Sequence, residues 1–388
     1  VVGKGHERMN LFTPGPVDMS REAQQAIGRP GLCHHRSEPF RRMMSKLTTL
    51  LQAAFLTRGE VVILTSSGTG AMEAAVANLF SSGDKVLVPV SGKFSLRWAE
   101  ICEAYGVNTA RIEIAPGKAP EPDDVVSALE ADPAICAVLL THCETSTGSL
   151  TDLEAICRAI HDLELLRSRE ILIIADCITS LCVDVLRVDD WGIDCAVAAS
   201  QKGLLSPPGL AFVSLGDRAL KRVRTAESPR YYFDFRKYLH TEIPFTPAIP
   251  LVSATLASLS HLAGLGPEPV WRANRSGALA IKLLIQAAGM RPVAERQASG
   301  VVAFWTGDLD AAEIAHSLER EHGITVAQGQ GGLKGRILRV SPIGKGPGAL
   351  LGFAAAFSSV LEKMSREVDM SSIETELNRL LEDCSIWE

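Results

Sequence analysis

Six short apolar runs punctuate the first 215 residues, each bounded by turn residues or a helical stretch. They are Val61–Thr65, Lys85–Val90, Cys136–Thr141, Ile171–Ala175, Cys195–Ala199 and Leu210–Val213. The runs are continuous and do not alternate with polar residues, so such strands have no face suited to water. Helical stretches fall between them, at Ala71 to Phe80, Ser95 to Tyr105 and Asp152 to Leu166. Another, Arg41 to Phe55, precedes them and places Met43, Leu47, Leu50, Leu51 and Ala54 on one face. Buried strands separated by helices predict an α/β fold, with a parallel or mostly parallel sheet covered on both sides.

The pattern changes after Leu265-Gly266-Pro267-Glu268-Pro269. The remaining chain reads as a strand at Val301–Phe304, a helix from Ala311 to Glu321, a strand at Ile337–Val340 and two terminal helices. The expected organisation is an N-terminal arm (1–20), a large domain (21–265) and a small α+β domain (266–388). Ile249 to Gly266 carries Ser, Thr and His and reads as a buried helix, not a membrane span. Val1 to Met9 carries no structural signal; Gly3-Lys4-Gly5-His6-Glu7 resembles a short motif of Mur-type ligases. That stretch reads equally as a tag remnant or as part of a longer polypeptide.

With 388 residues, 46% of them hydrophobic, the chain can bury a large core and form two domains. A net charge of −6 and an aromatic content of 5% argue against a nucleic-acid binder. The nine cysteines are scattered, mostly in apolar stretches, and form no C-x-x-C pair. They read as buried free thiols of a cytoplasmic protein, with no metal site expected.

Polar residues gather where the apolar runs end. Lys202 follows Cys195–Ala199 and precedes Ser206-Pro207-Pro208-Gly209, a place where a parallel sheet opens its ligand crevice. Asp176 ends the run Ile171–Ala175. An amine and a carboxylate at neighbouring strand ends suit pyridoxal phosphate. The amine forms a Schiff base with its aldehyde, and the carboxylate keeps its ring nitrogen protonated. Thr65-Ser66-Ser67-Gly68-Thr69-Gly70 ends a strand and opens a helix, which suits a phosphate. Gly92-Lys93-Phe94 offers a ring for stacking, and Thr141 to Gly148 a hydroxyl-rich loop. Singly, these features read as a turn, a core phenylalanine, a helix cap and a surface lysine. Their order along the chain is what makes them specific.

The chain resembles a class V aminotransferase of fold type I, especially the alanine/serine–glyoxylate (serine–pyruvate) branch. The resemblance rests on Pro14-Gly15-Pro16, Ser67-Gly68-Thr69, Thr141 to Gly148, Asp176, Ser200-Gln201-Lys202, Pro207-Pro208-Gly209 and Arg336 to Arg339. It implies a mainly parallel seven-stranded sheet, pyridoxal phosphate, and a homodimer with its site at the subunit interface. It makes Lys202 the cofactor-binding lysine and proton carrier, and Asp176 the partner of the ring nitrogen. Phe94 stacks on the ring, and Ser67, Gly68, Thr69 and Gln201 hold the phosphate. Thr145 meets the ring hydroxyl region. Thr246, in Pro244-Phe245-Thr246-Pro247, reaches the phosphate of the partner subunit. Arg339 clamps the substrate α-carboxylate, and Gly15 also contacts the substrate. Arg336, three residues earlier, faces the other side of a strand.

The implied reaction moves an amino group from alanine or serine to glyoxylate or pyruvate. A 2-aminoethylphosphonate–pyruvate transaminase is the alternative, with His34-His35-Arg36 as a further anion site. A decarboxylase or lyase on the same scaffold is another. Cysteine desulfurase fits poorly, because Cys384 is the only cysteine after Cys195. A non-catalytic sensor or scaffold fits poorly as well, because Lys202, Asp176 and Arg339 are all present.

Overall fold

The computed structural model describes residues 10–29, 33–239 and 243–388. The Gly3–Glu7 motif lies outside them. Its main sheet has seven strands: β1 (Glu60–Thr65), β2 (Lys85–Val90), β3 (Asn108–Glu113), β4 (Ile135–Thr141), β5 (Leu172–Asp176), β6 (Cys195–Ala199) and β7 (Leu210–Leu215). Their spatial order is β1-β7-β6-β5-β4-β2-β3. β7 runs antiparallel to β1 and β6, while the other neighbours are parallel. The carboxyl ends of β1, β2, β4, β5 and β6 therefore share one edge, where Ser67, Phe94, Thr145, Asp176 and Lys202 lie.

Continuous apolar runs make sense because both faces are covered. Ile173 and Ala175 of β5 join one core, with Leu47, Leu51, Ile156 and Leu259 from helices. Leu172 and Ile174, pointing the other way, join a second with Ala71, Val76, Trp98 and Val223. β3 escapes the apolar-run criterion because it is the edge strand and mixes half-buried with exposed residues. Several helices escape the sequence pattern as well: Arg21–Ile27, Pro122–Ala131, Asp217–Thr225 and Phe235–Tyr238, which are short, and the 21-residue Pro267–Ala287, which follows the Gly266-Pro267 break.

Helix α1 (Ile249–Leu265) ends at Gly266, and α2 (Pro267–Ala287) starts on the next residue at a bend of 94°. Among the described residues no single helix is long and apolar enough to cross a membrane. Beyond α2 lies a four-stranded antiparallel sheet of β8 (Arg291–Pro292), β9 (Val302–Trp305), β10 (Ala327–Gln328) and β11 (Ile337–Val340), in the order β8-β9-β11-β10. The arm strand Asn10–Leu11 pairs with Ile324–Thr325, and Phe12 stacks on Phe353 at 4.8 Å.

At the opposite end of the main sheet, Arg218 grips Asp194 through two 2.7 Å bonds and reaches Glu164 at 2.6 Å. Asp194 is 6% exposed and also accepts from the Ile173 N–H, tying β5 to the start of β6. Removing the guanidinium leaves a buried carboxylate without its counter-charge. Arg218→Ala is expected to cost about 3–5 kcal/mol of stability by urea denaturation. A cost under about 1 kcal/mol, the range of exposed pairs, would mean that this cluster does not hold the sheet together.

Candidate active site

Lys202 is 8% exposed, and burial lowers its amine from the ordinary 10.5 to about 8. Its Nζ donates to the Pro14 carbonyl of the N-terminal arm. A Cβ on Gly15, whose φ is +139°, would overlap the lysine Nζ and Cε, so only glycine lets the arm lie there. Asp176, 5% exposed, is pushed up to about 7, chiefly by burial. Its Oδ1 accepts from the Ile178 N–H at 2.8 Å; among the described residues no donor reaches Oδ2. Nor do Lys202 and Asp176 pair directly among the described residues, although each feels the other's charge.

The loop after β1 turns into the helix Gly68–Leu79, with Ser67 as its N-cap, accepting from the Gly70 N–H at 3.4 Å. The N–H groups of the first turn have no partner within the helix and can receive an anion. Thr69 Oγ1 accepts a 3.0 Å bond from Arg97. Gln201 stands beside Lys202 with a buried Oε1 that no group among the described residues satisfies.

Phe94 lies in the first turn of the helix Lys93–Ala104 and is half-buried. Arg97, one turn on, places its guanidinium carbon 5.0 Å from the Phe94 ring centre. The helix start is held by Glu144, which is 1% exposed. That carboxylate accepts from the Phe94 N–H at 3.1 Å, the Ser95 N–H at 2.9 Å and the Ser95 hydroxyl at 2.9 Å. It also accepts from the Ser146 N–H at 3.1 Å and hydroxyl at 2.5 Å. Neither Arg97 nor Glu144 stands out in the sequence. The one signal is position: Arg97 lies i+3 from Phe94, and Glu144 falls within the hydroxyl loop.

Thr145 is buried with its hydroxyl 2.9 Å from that of Thr179. Arg339, on β11, is 7% exposed and reaches into the same region. It donates from Nε to the Gln328 carbonyl (2.9 Å) and from Nη1 to the Thr145 carbonyl (3.2 Å). Its charge also acts on Lys202. Two of its five N–H donors are thus used, leaving a guanidinium edge for a carboxylate. Arg336 is exposed and lies over Trp305 at 5.0 Å. Thr246 is exposed in the wall of a separate cavity, with Arg41, Tyr232, Tyr238 and Phe245, apart from the Lys202 cluster. His34 and Arg36 are exposed as well.

The residues present fit pyridoxal phosphate. Two buried ionisable groups stand unpaired with each other, with a free carboxylate oxygen on one and a weakened amine on the other. Glycines line the approach. A Cβ on Gly68 would come within 2.6 Å of Ile178 Cδ1, and one on Gly92 within 2.6 Å of the Glu144 carboxyl carbon. Among the described residues no three His, Cys, Asp or Glu side chains gather as metal ligands.

Residues 20–339 match the family model for class-V aminotransferases. A protein of Synechococcus sp. named soluble hydrogenase, small subunit, is 34% identical over 368 residues, covering 92% of this chain and 94% of its own. An L-aspartate–glyoxylate aminotransferase of Paracoccus denitrificans is 32% identical over 346 residues, covering 86% of each chain. Among solved structures, an aspartate aminotransferase of subgroup IV from Thermus thermophilus superposes with a TM-score of 0.84 at 39% identity, covering 91% of this chain and 99% of its own. The chain belongs to the class-V aminotransferases, fold type I enzymes that depend on pyridoxal phosphate.

Proposed function

We propose that this enzyme moves an amino group from a small L-amino acid, alanine or serine, to a small 2-oxo acid, glyoxylate or pyruvate. The observation that carries the reading is the burial of Lys202, Asp176 and Arg339 around one sheet edge, with Asp176 and Arg339 each close enough to bias the charge of Lys202. When bound, pyridoxal phosphate supplies an electrophilic aldehyde carbon and an electron-withdrawing ring. Lys202 holds that carbon and, once freed, carries a proton away from the substrate Cα. Asp176 keeps the ring nitrogen protonated. Ser67, Gly68, Thr69 and Gln201 hold the phosphate, Phe94 packs on the ring and Thr145 faces its hydroxyl. Arg339, together with Gly15, receives the α-carboxylate, and donor and acceptor both carry one.

The same reading divides the chain at 20/21 and 265/266 and makes it a cytoplasmic homodimer. Thr246 then serves the phosphate of the partner subunit, which accounts for its place away from its own Lys202. Tyr231, 74% exposed beside Phe245 and Lys237, gives that surface an apolar character suited to a second copy. Light scattering is expected to give twice 41.6 kDa, and Thr246→Ala to weaken cofactor retention. A monomer that still transaminates would overturn this part.

The amine of Lys202 must be unprotonated to attack an aldehyde. With its proton lost near pH 8 in the cofactor-free protein, the rate of cofactor capture is expected to rise with pH and level off above about 8 to 9. A rise that continues toward pH 10.5, the ordinary lysine value, would mean that the amine is not desolvated.

Arg339→Lys keeps the charge and loses the planar fork. Single-turnover spectra with L-alanine, L-serine and L-aspartate are expected to show at least a tenfold slower donor half-reaction, about 1.4 kcal/mol. 2-Aminoethylphosphonate lacks the α-carboxylate and would be spared in its donor half-reaction. A variant as fast as the parent on all three amino acids would place the clamp elsewhere.

A further inference from the structure

Arg97 ties together two parts of the site that the sequence treats as separate. Phe94 sits in the helix that follows β2, and Thr69 in the helix that follows β1. The sheet order places β7, β6, β5 and β4 between those two strands. No backbone hydrogen bond links the two segments among the described residues. Arg97 does link them. One Nη1–H bonds the Thr69 hydroxyl at 3.0 Å, and the guanidinium lies over the Phe94 ring at 5.0 Å.

The chemistry of each contact has a consequence. A hydroxyl has one proton to donate and two lone pairs to accept with. Because Thr69 Oγ1 accepts from Arg97, its own proton is free to point at an anion. A guanidinium on one face of a phenyl ring holds it by cation–π attraction and leaves the opposite face for stacking. The frame behind Arg97 is hydrogen-bonded. Glu144 fixes the first turn of its helix through bonds to the Phe94 and Ser95 N–H groups.

We propose that Arg97 is a positioning residue that sets the ring-stacking and phosphate-binding parts of the cofactor seat in register, through Phe94 and Thr69. The inference rests on the pyridoxal phosphate reading above and deepens it. It assigns Arg97 no contact with the reacting atoms.

The test compares two probes on cofactor-free protein: pyridoxal phosphate, and pyridoxal, which lacks the phosphate. Dissociation constants come from absorbance or quenching of intrinsic fluorescence. Thr69→Ala is expected to weaken pyridoxal phosphate alone, and Phe94→Ala both probes by similar factors. Arg97→Met removes the fork and the charge at nearly constant length. It is expected to weaken pyridoxal phosphate about tenfold or more, and pyridoxal by a smaller factor. In the Arg97→Met background, Thr69→Ala should add little, because the hydroxyl has already lost its orientation.

Arg97→Lys restores a charge and one donor without the planar face. It should recover part of the phosphate-dependent binding and little of the rest, and it serves as the readout should Arg97→Met fail to fold. Arg97→Met binding both probes like the parent would overturn the proposal. So would equal losses for both probes, which would leave Thr69 out, or additive losses in the double variant. A parent protein that binds neither probe would instead overturn the cofactor reading itself, so the two failures are distinct.

Discussion

A lysine and an aspartate, both withdrawn from water, lie near enough to feel each other and are not joined. That arrangement is costly. A buried charge without a partner costs several kcal/mol, and each group responds by moving toward its neutral form. Lys202 uses one donor on the Pro14 carbonyl, and Asp176 takes one bond from the Ile178 N–H. Neither contact neutralises a charge. The pair makes chemical sense as two contacts for a group with an aldehyde at one end and a basic ring nitrogen at the other.

The sheet explains how two such groups come to share one site. β6 is built from Cys195, Ala196, Val197, Ala198 and Ala199, all buried and mostly small. Small residues at its end let the helix at Gly68 come close, with Ile178 and Ala199 as its nearest neighbours. The first turn of that helix is thereby brought to the strand that leads into Lys202. On the other side Gly92 rests on Glu144, and the N-terminal arm closes over the lysine at Gly15. Close packing of backbone on side chain at three glycines, Gly15, Gly68 and Gly92, shapes this region.

Much of this was legible from sequence, and the limits follow from physics. Buried parallel strands are continuous apolar runs, so six of the seven strands stood out; β3 did not, because an edge strand meets water and reads as polar. Residues whose chemistry is local, such as Lys202 and Asp176, could be named from type and place. Arg97 and Glu144 could not, because their roles are relations across the fold: one reaches from β2's helix to β1's, the other from β4's loop to β2's helix. Thr246 marks the other limit. Within one chain it lines a cavity that Lys202 does not, and the role proposed for it requires a second subunit.

Everything proposed for the site turns on the Lys202 amine as the group that holds the cofactor. The direct check is to incubate the purified protein with pyridoxal phosphate, reduce it with borohydride and map its peptides by mass spectrometry. A single stoichiometric pyridoxyl mass addition is expected, on the peptide carrying Lys202. Stoichiometric addition at another lysine, or none at Lys202, would refute the assignment.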